Sequence, residues 1–126
     1  MRQDLPAVQK AYDLAKELLP RVGKFPKEYR FNLGDRVISS SLAVLENLTV
    51  AAYSRDKAVL LNEASMALER LRFLLRLSCE LGPISKNGYE HVVKMVDDLG
   101  RQIGGWSRQA KDKNGKNAQE PLPADR

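Results

Sequence analysis

Lys94, Arg101 and Arg108 recur at intervals of seven residues and lead into Lys111, Lys113 and Lys116. Seven residues are close to two helical turns, so a helix would carry these cations as one stripe. Arg72 and Arg76 share another helical face, and Arg30 and Arg36 add two further cations. A guanidinium presents a planar fork of donors that matches phosphate, and a rigid helix holds several forks along a backbone track. The chemistry these residues suit is recognition of a polyanion. A solvated face accounts for the same residues where an acid stands three or four positions away, as in Glu69 with Arg72, Arg76 with Glu80, Glu90 with Lys94 and Asp97 with Arg101. The run from Arg108 to Lys116 favours binding more, because only Asp112 offsets it.

Other chemistry is poorly supported. His91 is the one histidine, and no second His or Cys stands at metal-ligand spacing. A di-iron bundle would want Glu-x-x-His on two helices, and the chain has no such motif. No phosphate-binding glycine loop or nucleophile elbow occurs. Cys79, the single cysteine, rules out an internal disulfide and has no catalytic partner in view, so it reads as structural. The sequence predicts a protein that is not an enzyme and needs no cofactor.

Net charge is +5 with a pI of about 9.5. That balance suits an acidic partner, nucleic acid being the commonest, although many ordinary proteins are as basic. Apolar residues make up 43% of the chain and aromatics 6%, which points to an aliphatic helical core. A length of 126 residues fits one domain. Met1-Arg2-Gln3-Asp4 leads straight toward a helix without a signal-peptide pattern, and no apolar run reaches membrane-spanning length. The expectation is a cytoplasmic protein with no membrane contact.

Four periodic segments must position the cations. The first helix is predicted from Leu5 to Val22, with Asp4 as cap and an apolar face of Leu5, Val8, Tyr12, Ala15, Leu19 and Val22. Pro20 should kink it or end it. The second begins between Lys27 and Leu33 and runs to about Tyr53. Its core face is Val37, Ile38, Ser41, Leu45, Leu48 and Ala52, and its other face, Ser39, Ser40, Ala43, Asn47 and Val50, is poor in charge. The third runs from about Lys57 to Leu81, capped by Ser54 or Asp56 and closed by Gly82-Pro83. Ser85 caps the fourth, about Lys86 to Gln109, with Tyr89, Val92, Val93, Val96, Leu99, Ile103 and Trp106 inward. Gly100 and Gly104 beside that face suggest tight helix contact. No run alternates with period two, which argues against strands. These segments predict an all-α, up-down-up-down four-helix bundle over residues 1–110 and a disordered, partly basic tail over 111–126.

The third helix carries more apolar surface than one core needs. Leu60, Leu61, Ala64, Ala67, Leu68, Leu71, Leu74 and Leu75 share one face, while Met66, Phe73 and Leu77 form another stripe about 120° away. Arg70 sits at its edge, either snorkelling to water or paired across an interface. Burial on two sides implies self-association.

Three stretches carry a resemblance: KFPKEYRFNLGDRV (24–37), LERLRFLLRLSCEL (68–81) and GRQIGGWSR (100–108). Together they resemble the accessory variability determinant (Avd) proteins of diversity-generating retroelements, across nearly the whole chain to about Arg108. That group extends to bundle proteins encoded in intervening sequences of ribosomal RNA genes. Those relatives more often show a Ser-Asn-Ile-Ala-Glu-Gly-like stretch in the second helix, where this chain reads SSSLAVLENLTVAAYS. The resemblance implies a basic homopentamer that binds the retroelement's reverse transcriptase and its template-repeat RNA and supports mutagenic reverse transcription. It transfers no catalytic residue. From the residues themselves, the basic stripes and the scarcity of aromatics free to stack predict binding of RNA and DNA without strong sequence preference. The alternatives are a structured-RNA-binding protein and a purely structural bundle.

Overall fold

The computed structural model describes residues 4–118, with side chains for 6–112. The side chains of Asp4, Leu5, Lys113 and Lys116, and with them the expected Asp4 cap, are not described, and the tail beyond Ala118 lies outside the described residues. Among the described residues every regular element is a helix: α1 (Asp4–Gly23), α2 (Lys27–Arg30), α3 (Leu33–Ala52), α4 (Ala58–Leu81) and α5 (Lys86–Ala118). Four are long and one is a single turn inside the first connection. The long helices pack in the cyclic order α1–α3–α4–α5.

Their directions can be followed through the side chains that touch. Lys10, Glu17 and Arg21 ascend α1 as their neighbours Asp98, His91 and Gly88 descend α5, so these two helices are antiparallel. Leu68 lies at Gly100 and Arg72 bonds Asp97, which makes α4 and α5 antiparallel as well. The core contains Leu14, Leu18, Val37, Val44, Leu48, Leu61, Leu71, Leu75, Val92, Val96 and Leu99, all buried. Each such aliphatic contributes about 1.5–3 kcal/mol through burial.

Local chemistry sets the boundaries. Asp56 Oδ1 accepts from the Ala58 N–H at 3.2 Å and Ser85 Oγ from the Gly88 N–H at 3.0 Å, so Asp56 and Ser85 satisfy free donors at the starts of α4 and α5. Gly82 ends α4 in the left-handed region at φ 109°, where a side chain would be strained. Asn32 Oδ1 accepts from the Leu33 N–H at 2.6 Å and opens α3. The next residue, Gly34, lets α3 approach α1, because a Cβ there would stand 2.7 Å from Val22 Cγ1.

Several expectations are corrected. The core face of α1 is Ala7, Ala11, Leu14, Ala15, Leu18 and Val22. Tyr12 is 53% exposed and Leu19 is exposed too, because the small Ala7 and Ala11 seat the helix closely and turn the larger side chains outward. Pro20 neither ends α1 nor breaks it before Gly23. Lys16 and Pro20 are both exposed, so the carbonyl that loses its N–H partner can be hydrated. Gly100 and Gly104 do not mark tight packing, since Cβ atoms there would meet only ordinary contacts at 3.6 Å. α5 continues eight residues past Ala110, to Ala118, so the helix holds the first part of the predicted tail. In α3, Ile38, Leu45 and Ala52 are half-buried, while Val44 and Ala51 take full core positions.

Candidate nucleic-acid interface

The antiparallel packing of α4 on α5 brings Arg72, Arg101 and Arg108 into one open groove of about 540 Å³. Ser65, Leu68, Glu69, Asp97, Gly100 and Gly104 complete its walls. The two glycines leave its floor without side chains. Arg108 folds back over Gly104 and Gly105, with guanidinium nitrogens 3.6 and 3.9 Å from the points where Cβ atoms would stand. The cations therefore lie along a channel bordered by two rigid helices, which is the arrangement a phosphate backbone can follow.

They differ in how free they are. Arg72 is held by Asp97 across the groove and by Glu69 on its own helix at 3.3 Å. The hydrogen bond to Asp97, above all, raises its pKa, so it stays charged throughout the physiological range. Arg101 bonds Asp98, and Lys10 of α1 reaches the same carboxylate at 3.4 Å. The Arg101 hydrogen bond, with Lys10 behind it, holds Asp98 below the usual carboxylate range. Arg108 and Lys94 are exposed and have no ion-pair partner among the described residues. Lys111 prolongs the track, lining a small recess with Ala58, Leu61, Asn62, Ser65, Ser107 and Ala110.

The other expected contacts lie elsewhere. Arg76 projects from α4 and pairs with Glu80 at 3.1 Å. Arg30 gives two hydrogen bonds to the Phe25 carbonyl, at 3.1 and 3.3 Å, and stacks on Phe31, bracing the α1–α3 connection. Arg36 lies on a different surface, an open groove of about 920 Å³ along α3 and α4. There it joins Arg70, Met66, Phe73, Leu74 and Leu77 with Ser39, Ser40 and Ala43. The second apolar stripe of α4 is thus exposed in the single chain, Phe73 by 65%. The small residues of α3 form the other wall of this groove, which matches the charge-poor face seen in the sequence.

The cross-helix pair Arg72–Asp97 was invisible from local spacing, which pointed to Asp97 with Arg101 instead. At the opposite side Glu17 binds Arg21 at 2.7 Å and stands 3.6 Å from His91. The Arg21 hydrogen bond, aided by His91, lowers the Glu17 pKa. Among the described residues no cluster of three or more His, Cys, Asp or Glu could hold a metal, and no helix is long and apolar enough to cross a membrane.

The described residues form an all-helical bundle with an arginine-lined groove between α4 and α5 and an apolar groove between α3 and α4. The chain belongs to the bAvd-like family, whose model matches residues 6–110; this is a family of accessory, non-catalytic proteins. Among solved structures the fold is similar to a protein of unknown function from the S23 ribosomal protein family of Bacteroides thetaiotaomicron. The TM-score is 0.79 at 15% identity, over 85% of this chain and 99% of that one. No curated protein matches the sequence.

Proposed function

We propose that the chain is the accessory protein of a diversity-generating retroelement. It is an adaptor that assembles into a ring, most simply a pentamer, and binds the element's reverse transcriptase together with template-repeat RNA or DNA. The observation that carries this reading is the α4–α5 groove, where Arg72, Arg101 and Arg108 are gathered on the bundle of an Avd-like family member. Phosphates entering the groove would release condensed counterions, giving affinity with little base readout. Repetition of the groove around a ring would add weak tracks by avidity. The role is positional: the adaptor holds template and polymerase together and carries out no bond chemistry itself.

The test is co-purification of tagged protein with the reverse transcriptase encoded beside it, with and without nuclease. Recovery of polymerase and RNA supports the adaptor; recovery of neither refutes it. A second reading is a bundle that binds structured RNA outside any retroelement, which the wider ribosomal RNA intervening-sequence resemblance implies. Gene neighbourhood separates the two, because only the first requires a reverse transcriptase gene and a pair of near-repeats alongside.

A further inference from the structure

Tyr53 is 88% exposed, more than any other large apolar side chain among the described residues. The backbone beneath it is nevertheless fixed. Its N–H bonds the Val50 carbonyl at 3.1 Å, and the Ser54 N–H bonds the Ala51 carbonyl at 3.1 Å. The Ser54 hydroxyl donates to the Val50 carbonyl at 2.8 Å. Lys57 clamps the turn from the other side, donating to the Ala51 and Ser54 carbonyls at 2.7 Å each. The core does not use the Tyr53 ring, and an aromatic held in water on a braced turn offers its face to a flat partner.

This turn lies where the basic track ends. The Lys57 ammonium stands 6.0 Å from the ring of Trp106, so the turn is braced on α5 two residues before Arg108. The α4–α5 groove and the recess beyond it share Ser65, and the recess runs between Ala58 and Lys111. Ala58 opens α4 five residues after Tyr53, a path of at most about 18 Å. Arg55, between them, is exposed and has no ion-pair partner among the described residues, while Asp56 is turned to the Ala58 N–H. The other exposed aromatics lack this setting. Phe31 is covered by Arg30 at 5.8 Å, Phe73 lines the apolar α3–α4 groove, and Tyr12 stands on α1, which does not line the basic groove.

We propose that Tyr53 and Arg55 form a stacking station for an unpaired base of a single-stranded nucleic acid whose phosphates follow the α4–α5 groove. The station rests on the reading of that groove as a nucleic-acid track, and it narrows the ligand to strands with unpaired bases. Every base has a π-face, so one ring adds affinity whatever the sequence, and a guanidinium beside it holds the adjoining phosphate. A duplex keeps its base faces stacked on one another, out of reach of the ring.

Fluorescence anisotropy with labelled oligouridine, oligoadenosine and an RNA duplex of the same length tests the station. Tyr53→Ala should bind both single strands about tenfold more weakly at every salt concentration, with the log–log salt slope unchanged, because no phosphate contact is lost. Tyr53→Phe should bind like the unsubstituted protein, and the duplex should not distinguish the three. The side chain is exposed, so these variants should keep the fold. Arg55→Ala should instead flatten the slope; an unchanged slope would remove Arg55 from the contact. Undiminished single-strand affinity in Tyr53→Ala, or an equal loss on the duplex, would overturn the station while leaving the groove intact. A loss in Tyr53→Phe as large as in Tyr53→Ala would also overturn it, by assigning the effect to the hydroxyl. No binding of any RNA by the unsubstituted protein would remove groove and station together. As a second measurement, irradiation of a single strand carrying 4-thiouridine should crosslink it to the peptide that contains Tyr53. Crosslinks confined to other peptides would count against the station.

Discussion

Arg72 of α4 and Asp97 of α5 are hydrogen-bonded across the basic groove, so one of its cations also ties the two helices together. Arg108 at the same groove has no such anchor among the described residues. The groove therefore combines a structural arginine with a free one, and substitutions at the two should have different consequences.

Arg72→Ala should lower stability by about 0.5–1 kcal/mol, the scale of a partly exposed ion pair. It should also weaken nucleic-acid binding. Arg108→Ala should weaken binding and leave the urea midpoint unchanged. Urea titration beside a binding isotherm separates the two effects. An equal loss of stability in both variants would contradict this division.

Phe73→Glu should abolish self-association and change monomer stability by no more than about 0.5 kcal/mol, because the side chain is 65% exposed in the single chain. Sedimentation and thermal unfolding read the two quantities. Unfolding of this variant at ordinary temperature would place Phe73 in the core, against the structure.

Gly34→Ala should destabilise the fold by about 1–3 kcal/mol, the range for overpacking a close contact. Its Cβ would meet Val22 Cγ1 at 2.7 Å. By contrast Gly100→Ala should fold normally, with its nearest new contact at 3.6 Å. Chemical denaturation of both variants checks the contrast.

Glu17 supplies a pH dependence. Its folded pKa is below the ordinary 4.5, chiefly through the Arg21 hydrogen bond. Its stabilisation is present above the unfolded value and is lost as pH falls through the folded one. Melting temperature measured downward from pH 4.5 should fall more steeply for the unsubstituted protein than for Glu17→Gln. Identical slopes would mean that the pair contributes nothing.

Much of this arrangement was legible in periodicity. The long helices, the Ser85 cap, the Gly82 stop and the two-faced third segment follow from local rules that need no tertiary information. The inward face of α1 was not, because hydrophobic size and burial part company there. Ala7 and Ala11 carry little apolar weight in a sequence yet suit the closest approach, while Tyr12 carries much and faces out. The charge pattern was legible as far as one helix extends. Glu69–Arg72 and Arg76–Glu80 form as spacing suggested, but Asp97 turns to Arg72, which is 25 residues away in sequence. Arg30 and Arg36 looked like members of one basic set, and packing places them on two different surfaces. The continuation of α5 to Ala118 was hidden by Gly115 and by a polar run that lacks an apolar stripe.

We propose that the α4–α5 groove binds nucleic acid through its phosphates. The most direct measurement is fluorescence anisotropy of labelled single-stranded RNAs of unrelated sequence, titrated with protein at several salt concentrations. Comparable affinity across sequences is expected, falling steeply as salt rises. The double variant Arg101→Ala/Arg108→Ala should bind all of them more weakly, with the log–log salt slope reduced by about 0.7 for each phosphate that is no longer neutralised. No binding by the unsubstituted protein at low salt, or an unchanged isotherm for the double variant, would show that the groove is not a nucleic-acid interface.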